Sequence, residues 1–227
     1  MMKKSTVRAL IEDIGIVPSL RLTSADDARF AVDAVADAGI PIVEVTMTVP
    51  DALVVIAEVA KARPDVAVGA GTVIDVDTAR RSIEAGARFI TSPGVDTGVV
   101  EHAIARDILV FPGVLTATDI IAAMRGGADL LKIFPCAPWD GVAYLKSLLG
   151  PFPHAKFIAS GGINQQTAAD FIHAGAVAIG VGTELVPRQA VHNRDRRWIT
   201  ELARRFLAIV HDARRPRKSR DDASSRR

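Results

Sequence analysis

One lysine stands in the middle of an apolar run, which is an unusual place for an ammonium group. Lys132 lies in the segment LLKIFP, between two leucines on one side and Ile133 and Phe134 on the other. Removing an ammonium from water is costly unless it is paired or loses its proton. Lys132 therefore has two interpretations. It is a structural lysine that pairs with a carboxylate or extends its ammonium to the solvent at the edge of the fold. Alternatively it is a nucleophile whose free amine forms a Schiff base with a carbonyl.

A carboxylate occupies a similar position in another apolar run. Glu44 lies in IVEVTM, and strand alternation places it on the same face as Ile42 and Thr46, where core residues belong. Alone it could be the counterion of Lys132. Beside an imine it would be the general acid and base that Schiff-base chemistry at carbon requires, because protons must move at carbon and at a hydroxyl. The two residues together are therefore more informative than either is alone.

Eight short apolar runs alternate with helical patterns, and this alternation predicts the fold that positions the pair. The predicted strands span 16–21, 40–48, 66–74, 87–94, 108–114, 128–135, 155–162 and 176–183. The helices between them have alanine-rich faces, as in the one that Ser24 and Asp27 cap and Gly39 ends. Eight such units predict a single-domain α/β fold, a (β/α)8 TIM barrel. A doubly wound open sheet is the alternative, but no G-x-G-x-x-G motif follows the first strand.

The active site of such a barrel lies at the C-terminal ends of its strands. Thr72, Ser92, Pro112 and Lys132 recur every 20 residues, each near the end of a predicted strand. The residues expected to converge there are Arg21, Glu44, Thr46, Thr48, Thr72, Ser92, Pro93, Pro112, Lys132, Phe134, Ser160, Gly161, Gly162, Gly182 and Thr183. The glycines follow the last two strands, where barrels often bind phosphate through backbone N–H groups, although glycine at a turn is by itself weak evidence.

Composition and charge limit the kinds of binding partner and the cellular compartment that we expect for this protein. The chain has 227 residues, a single cysteine and no apolar run of membrane-spanning length, and its N-terminus lacks the apolar region of a signal peptide. We therefore expect one barrel domain over residues 1–212, in the reducing cytoplasm, with no membrane contact. Residues 213–227 contain seven Arg or Lys against two Asp, and this basic tail is expected to be disordered. The remaining body carries a net charge of −3 and 5% aromatics overall, which does not indicate a nucleic-acid partner.

Other reactive side chains lack a pattern that indicates chemistry. The five histidines show no H-x-H or H-x-x-x-H spacing, so no metal site and no metal-dependent aldolase is predicted. Cys136 lies just after the sixth predicted strand, but no histidine is placed in sequence to activate it. We interpret it as a residue without a catalytic role, and we predict no cofactor.

The quoted segments resemble a known family in order and spacing. VEVTMTVPDA, VGAGTV, FITSPG, PGVLT, LKIFP, GPFPHAKFIASGGI and GVGTELV are similar to the 2-keto-3-deoxy-6-phosphogluconate (KDPG) aldolases, which also act as 4-hydroxy-2-oxoglutarate (KHG) aldolases. The resemblance covers residues 8 to 207 approximately. It implies a class I aldolase, usually a homotrimer, that needs no metal and acts on a small keto-acid sugar phosphate.

The resemblance also implies roles for individual residues. Lys132 would form the imine with the substrate's C2 ketone, and Glu44 would move protons. Thr72 would bind the pyruvate carboxylate, while Phe134 and Pro93 would form walls of the pocket. The aldehyde half would be held by its phosphate, at a group of residues comprising Gly161, Gly162, Gly182 and Thr183.

Three departures from the family pattern leave the substrate open. Thr48 stands where many members have a carboxylate-binding arginine, and Arg21 is the replacement that we expect. The usual PTGGI is ASGGI here, so Ser160 supplies the hydroxyl, and CAPWDG replaces a loop of small residues. The expected reactions are cleavage of KDPG to pyruvate and glyceraldehyde 3-phosphate, and of KHG to pyruvate and glyoxylate. The alternatives are a 2-keto-3-deoxy-6-phosphogalactonate aldolase, a sugar-phosphate isomerase and a catalytically silent sugar-phosphate-binding barrel.

Overall fold

A computed structural model describes residues 2–137 and 139–215 of the chain. Its strands are β1 (Ile16–Leu20), β2 (Ile42–Thr46), β3 (Ala67–Gly71), β4 (Phe89–Thr91), β5 (Leu109–Phe111), β6 (Gly113–Val114), β7 (Leu131–Ile133), β8 (Phe157–Ser160) and β9 (Ala178–Val181). Its helices are α1 (Lys4–Ile14), α2 (Ala25–Asp37), α3 (Ala52–Ala62), α4 (Val76–Glu84), α5 (Thr97–Ile104), α6 (Ala117–Arg125), α7 (Gly141–Leu149), α8 (Ala168–His173), α9 (Arg188–His192) and α10 (Arg196–Arg214).

The strands form one parallel sheet that nearly closes on itself. Its order is β5-β4-β3-β2-β1-β9-β8-β7-β6, so β5 and β6 are the two edges. Only Pro112 separates these edges in sequence, and they are two halves of the single strand predicted over 108–114. Proline has no N–H to contribute to a ladder, although the Pro112 carbonyl accepts a 2.9 Å bond from the backbone N–H of Lys132. The (β/α)8 TIM barrel predicted from the sequence is confirmed.

The helices begin where short polar side chains can cap them. The Ser24 side chain accepts a hydrogen bond from the backbone N–H of Asp27 at the start of α2, as the sequence predicted. Thr116 and Asp119 form a reciprocal capping box at the start of α6. These caps satisfy backbone groups that would otherwise lack partners, and they fix the residue at which each loop from a strand end becomes a helix.

Apolar side chains fill the lower part of the barrel interior. Phe89 and Phe111 stack with their ring centroids 5.3 Å apart, and a Cβ at Gly69 would lie only 2.2 Å from the Phe89 ring. The other barrel residues of this interior cluster are Val17, Ile42, Ala67, Leu109, Ile158 and Ala178 on the strands and Leu130 just before β7. Because this packing leaves no open lumen at that level, polar groups are confined to the C-terminal ends of the strands.

Helix α1 closes the opposite, N-terminal end of the barrel. Its buried residues Val7 and Ile11 belong to the interior cluster. On its polar side Arg8 pairs with Asp129, and Glu12 pairs with Lys156, at residues that shortly precede β7 and β8. The barrel therefore has one closed end and one end available for a site.

The C-terminal helix extends beyond the boundary expected from composition. Helix α10 ends at Arg214, whereas the predicted barrel domain ends at residue 212. The Arg214 guanidinium donates to three backbone carbonyls at the closed end of the barrel, those of Glu12, Asp13 and Val177. Most of the predicted basic tail, residues 216–227, lies outside the described residues. None of the helices in the described part of the chain is long and apolar enough to cross a membrane.

Candidate active site

The structure brings Lys132 and Glu44 together inside the barrel. The Lys132 Nζ lies 3.5 Å from both carboxylate oxygens of Glu44, and the two side chains are 5% and 3% exposed. Lys132 comes from β7 and Glu44 from β2, strands that are not neighbours in the sheet, so the pair spans the lumen. At 3.5 Å the contact is long for a charge-assisted hydrogen bond, which leaves the amine weakly held by its partner.

A glycine provides the space that the Glu44 carboxylate occupies. Gly71 is in register with Thr46 on the neighbouring strand, and a Cβ built on Gly71 would lie 2.1 Å from Glu44 Oε1. The carboxylate therefore lies directly against the bare backbone of β3. Any side chain at position 71 would force Glu44 to move, so this glycine is part of the geometry of the pair.

The Phe134 ring lies close to Lys132 and to Arg21. Lys132 Nζ lies 5.5 Å from the ring centroid, and the Arg21 guanidinium carbon lies 5.7 Å from it. Aromatic rings attract cations at such distances, so Phe134 holds both cations without neutralising either. Phe134 also lines a cavity whose lining includes neither Lys132 nor Glu44.

Seven of the predicted site residues line one cavity of about 300 Å³ at the ends of β1, β7, β8 and β9. They are Arg21, Phe134, Ser160, Gly161, Gly162, Gly182 and Thr183; Ser19, Ile163, Gly180 and Glu184 complete the lining. A cavity of this size suits a small metabolite. Because glycines supply much of the wall, a ligand there would meet the backbone closely.

The first glycine turn has a backbone conformation that other residues adopt only with strain. Gly161 and Gly162 have φ values of 89° and 85°, and a Cβ on Gly162 would lie 2.1 Å from that of Ala137. The backbone N–H groups of Gly162 and Thr183 donate to no other residue that the structure describes. Each turn therefore has a backbone donor without a described partner, on a residue that lines the cavity, which suits an anion site.

Thr72 and Pro93, in contrast, do not line this cavity. Thr72 follows Gly71 with a φ of 61°, a left-handed conformation that is uncommon for threonine and often marks a functional position. Pro93 is exposed, and its carbonyl lies against Gly113, where a Cβ would be 2.2 Å away. The predicted site is thus divided into a β3–β4 flank beside Glu44 and a glycine-lined cavity on the other side.

Two buried hydroxyl groups on the strands were missed in the sequence. Ser19 and Thr91 are 8% and 0% exposed, and neither side-chain oxygen has a hydrogen-bond partner among the described residues. Ser19 is in register with Glu44, and it lines the cavity. Side chains two residues apart in a strand face the same side. Ser19 and Thr91 each lie two residues after an interior residue, Val17 and Phe89, so their inward direction could have been predicted.

Cys136 is buried, and its environment disfavours a thiolate. Burial raises the pKa of the Cys136 thiol to about 11, against which the hydrogen bond from a backbone N–H has only a smaller, opposing effect. This finding supports the interpretation that the cysteine has no catalytic role. Within residues 2–137 and 139–215, no cluster of three or more His, Cys, Asp or Glu side chains could hold a metal ion.

Comparisons with known proteins identify the family of this chain. The family model described as KDPG and KHG aldolase matches residues 7–202. A 2-dehydro-3-deoxy-phosphogluconate aldolase of Treponema pallidum is 32% identical over 90% of this chain and 98% of its own length. A KDPG aldolase structure from Zymomonas mobilis, determined with 3-phosphoglycerate, has a TM-score of 0.81 at 30% identity and covers 89% of this chain and 95% of its own. One from Legionella pneumophila, with pyruvate captured as a covalent carbinolamine, has the same TM-score and identity and covers 86% and 95%.

The barrel and these relatives define an enzyme of the lyase class, an aldolase. The family match extends over most of the barrel and includes both Lys132 and Glu44. The chain belongs to the KDPG and KHG aldolase family.

Proposed function

We propose that this enzyme is a class I, metal-independent aldolase that cleaves KDPG to pyruvate and glyceraldehyde 3-phosphate, and also KHG to pyruvate and glyoxylate. The observation that carries the proposal is the Lys132 amine, which is 4% exposed and lies 3.5 Å from Glu44. An amine shielded from bulk water next to a proton carrier can attack a ketone and form an imine. A merely structural ion pair would not need the adjoining glycine-lined cavity.

The chemistry assigns one role to each member of the pair. The Lys132 amine adds to the C2 ketone, and the resulting carbinolamine loses water to give an imine. The hydroxyl at C4 then loses its proton, the C3–C4 bond breaks, and its electron pair moves toward the imine nitrogen to give an enamine. Glu44 accepts and returns the protons, the last of them at C3, after which water releases pyruvate and the free amine.

The residues around the pair divide between the two halves of the substrate. Thr72 and Pro93, at the ends of β3 and β4, would contact the pyruvate half. The glycine turns and Thr183 would bind the phosphate of the aldehyde half through N–H and hydroxyl groups. Arg21 would bind the keto-acid carboxylate in place of the arginine absent at Thr48. Ser160 would donate to a hydroxyl.

Borohydride trapping tests the imine directly. Reduction in the presence of pyruvate should leave a stable adduct on Lys132 and none on Lys146, a lysine of α7 that serves as the internal control. Activity should persist in EDTA. An adduct on Lys146 alone, or none at all, would contradict the mechanism.

Substrate comparison tests the phosphate site. Several charge-assisted N–H bonds should make cleavage of the 6-phosphorylated acid about 100-fold more efficient than cleavage of its unphosphorylated counterpart. Thr183→Val should reduce that preference. Substitution of Gly162 would be a poorer test, because its φ of 85° and the nearby Ala137 would disturb the turn itself. Equal efficiency on both acids would refute the assignment, and a panel with gluconate-type and galactonate-type acids would identify the C4 configuration.

The proposal includes a homotrimer in the cytoplasm. Exposed apolar side chains support an assembly: Ile74, Val76, Ile121 and Met124 are all accessible on this single chain. A lone buried cysteine is compatible with a reducing compartment. Sedimentation of the purified protein would show whether the trimer forms.

A further inference from the structure

Strand β9 lies between β8 and β1, two strands that carry hydroxyl groups, and it has a glycine where a side chain could stand. Gly180 is in register with Ser160 on β8, and a Cβ at Gly180 would lie 2.5 Å from the Ser160 hydroxyl oxygen. On its other side β9 pairs with β1, where Val17 is in register with Gly180 and Ser19 lies two residues farther along the strand. Ser19, Ser160 and Gly180 all line the same cavity. The cavity lining thus has a hydroxyl on each side of β9 and no side chain at Gly180.

The Ser19 hydroxyl has the properties of a ligand-binding group without its ligand. The residue is 92% buried, its oxygen contacts no hydrogen-bond partner in the described chain, and it faces the cavity. A buried hydroxyl without a partner destabilises a fold relative to an apolar group of similar size. The interior position two residues earlier on the same strand is filled by an apolar side chain, that of Val17.

The position of Ser19 indicates which half of the substrate it would meet. It is in register with Glu44, and it lines the same cavity as Ser160 and the glycine turns, which Thr72 on β3 does not line. Resting on the proposed function, we infer that Ser19 is a specificity-determining residue that hydrogen-bonds a hydroxyl of the aldehyde half, opposite Ser160. The substrate class that it favours is a 2-keto-3-deoxy acid with a hydroxylated chain beyond C3.

Two reactions of the same enzyme separate this role from the core chemistry. Exchange of the pyruvate methyl protons with D2O uses Lys132 and Glu44 but involves no aldehyde half. Cleavage of the six-carbon acid uses both halves. Ser19→Ala should lower kcat/KM for cleavage about 3- to 10-fold, as expected for one neutral hydrogen bond, and should leave the exchange rate unchanged.

Thr91→Val is the matched control, because it removes the other unpartnered hydroxyl on the β4 flank, outside the cavity lining. It should not change the ratio of cleavage to exchange. Thermal unfolding supplies a further readout: Ser19→Ala should keep or raise Tm, since it removes an unsatisfied buried group, whereas a structural hydroxyl would lower it.

The outcomes are decisive in each direction. A selective loss of cleavage with Tm maintained supports the inference. An equal loss of cleavage and exchange, no loss of either, or the same selective loss in Thr91→Val would overturn it. Failure of the unsubstituted enzyme to exchange pyruvate protons would instead refute the proposed function.

Discussion

Replacing Gly71 with alanine tests whether catalysis depends on where the Glu44 carboxylate lies. The new Cβ would lie 2.1 Å from Oε1 and 2.5 Å from two carbons of the Glu44 side chain, whereas real Cβ contacts stay beyond 3.0 Å. The carboxylate must therefore move by about 1 Å, and at 2% exposure it has no solvent to move into. This displacement must change the 3.5 Å distance between the carboxylate and Lys132 Nζ.

The expected effect is kinetic rather than structural. The clash is with the end of a flexible side chain, and Gly71 does not have the positive φ that would make alanine strained. A misplacement of about 1 Å in a reacting group can lower the rate about 100-fold, so kcat should fall about 10- to 100-fold, or about 1.4 to 2.7 kcal/mol in the barrier. Tm should change little, and the borohydride adduct on Lys132 should still form.

Two other glycines provide the comparisons. At Gly150, at the end of α7, a Cβ would make only an ordinary 3.4 Å contact, so Gly150→Ala should be neutral. At Gly69, two residues before Gly71, it would enter the rigid Phe89 ring at 2.2 Å, so Gly69→Ala should lower Tm. The assay is pyruvate release with thermal unfolding in parallel. If Gly71→Ala keeps kcat within about twofold at unchanged Tm, the position of Glu44 does not limit the reaction and our reasoning is wrong.

Three further predictions concern Arg21, Cys136 and the end of the chain. Arg21→Ala should raise KM for the keto acid about 10-fold or more, and Arg21→Lys should restore it only in part, because a lysine lacks the bidentate fork; an unchanged KM would assign the carboxylate to another group. Burial raises the pKa of the Cys136 thiol to about 11, so at pH 8 it should react with iodoacetamide about 100-fold more slowly than in the unfolded chain. Its reaction rate should rise as the pH increases toward 11. Equal rates in the folded and unfolded chains, measured by mass spectrometry, would contradict its burial. A chain ending at Arg215 should keep its kcat and Tm. A chain ending at Asp212 loses the Arg214 contacts, so its free energy of unfolding, measured in urea, should be about 1 kcal/mol lower. Equal stability of the two chains would show that these contacts contribute nothing.

The repeating strand and helix pattern was sufficient to predict the barrel. All eight predicted strands correspond to observed strands, since β-branched runs, helix caps and terminal glycines agree with one another at each repeat. The interruption at Pro112 was not predicted, although the proline itself was visible within the run. The closure of the barrel by α1 was also missed, because an amphipathic helix does not reveal which surface it will cover.

The site was predictable where an unusual residue type marked it. Lys132 and Glu44 could be identified because charged residues are rare in apolar strands, and they do lie together. Ser19 and Thr91 could not be singled out in the same way, because serine and threonine are common in strands and burial without a partner is a tertiary property. The role of Gly71 was hidden for a similar reason: only the packed structure shows which side chain occupies the space that the glycine leaves.

The closure of the barrel by α1 bears on the order in which products would leave. Val7 and Ile11 pack into the N-terminal end, so the site is reached from the C-terminal ends of the strands. In the proposed mechanism pyruvate is bound covalently to the buried Lys132, so the aldehyde would depart before it. In synthesis the order reverses, and pyruvate must enter first. Steady-state inhibition should follow from this path: pyruvate competes with the substrate for the free enzyme, whereas the aldehyde product, which leaves first, gives mixed inhibition.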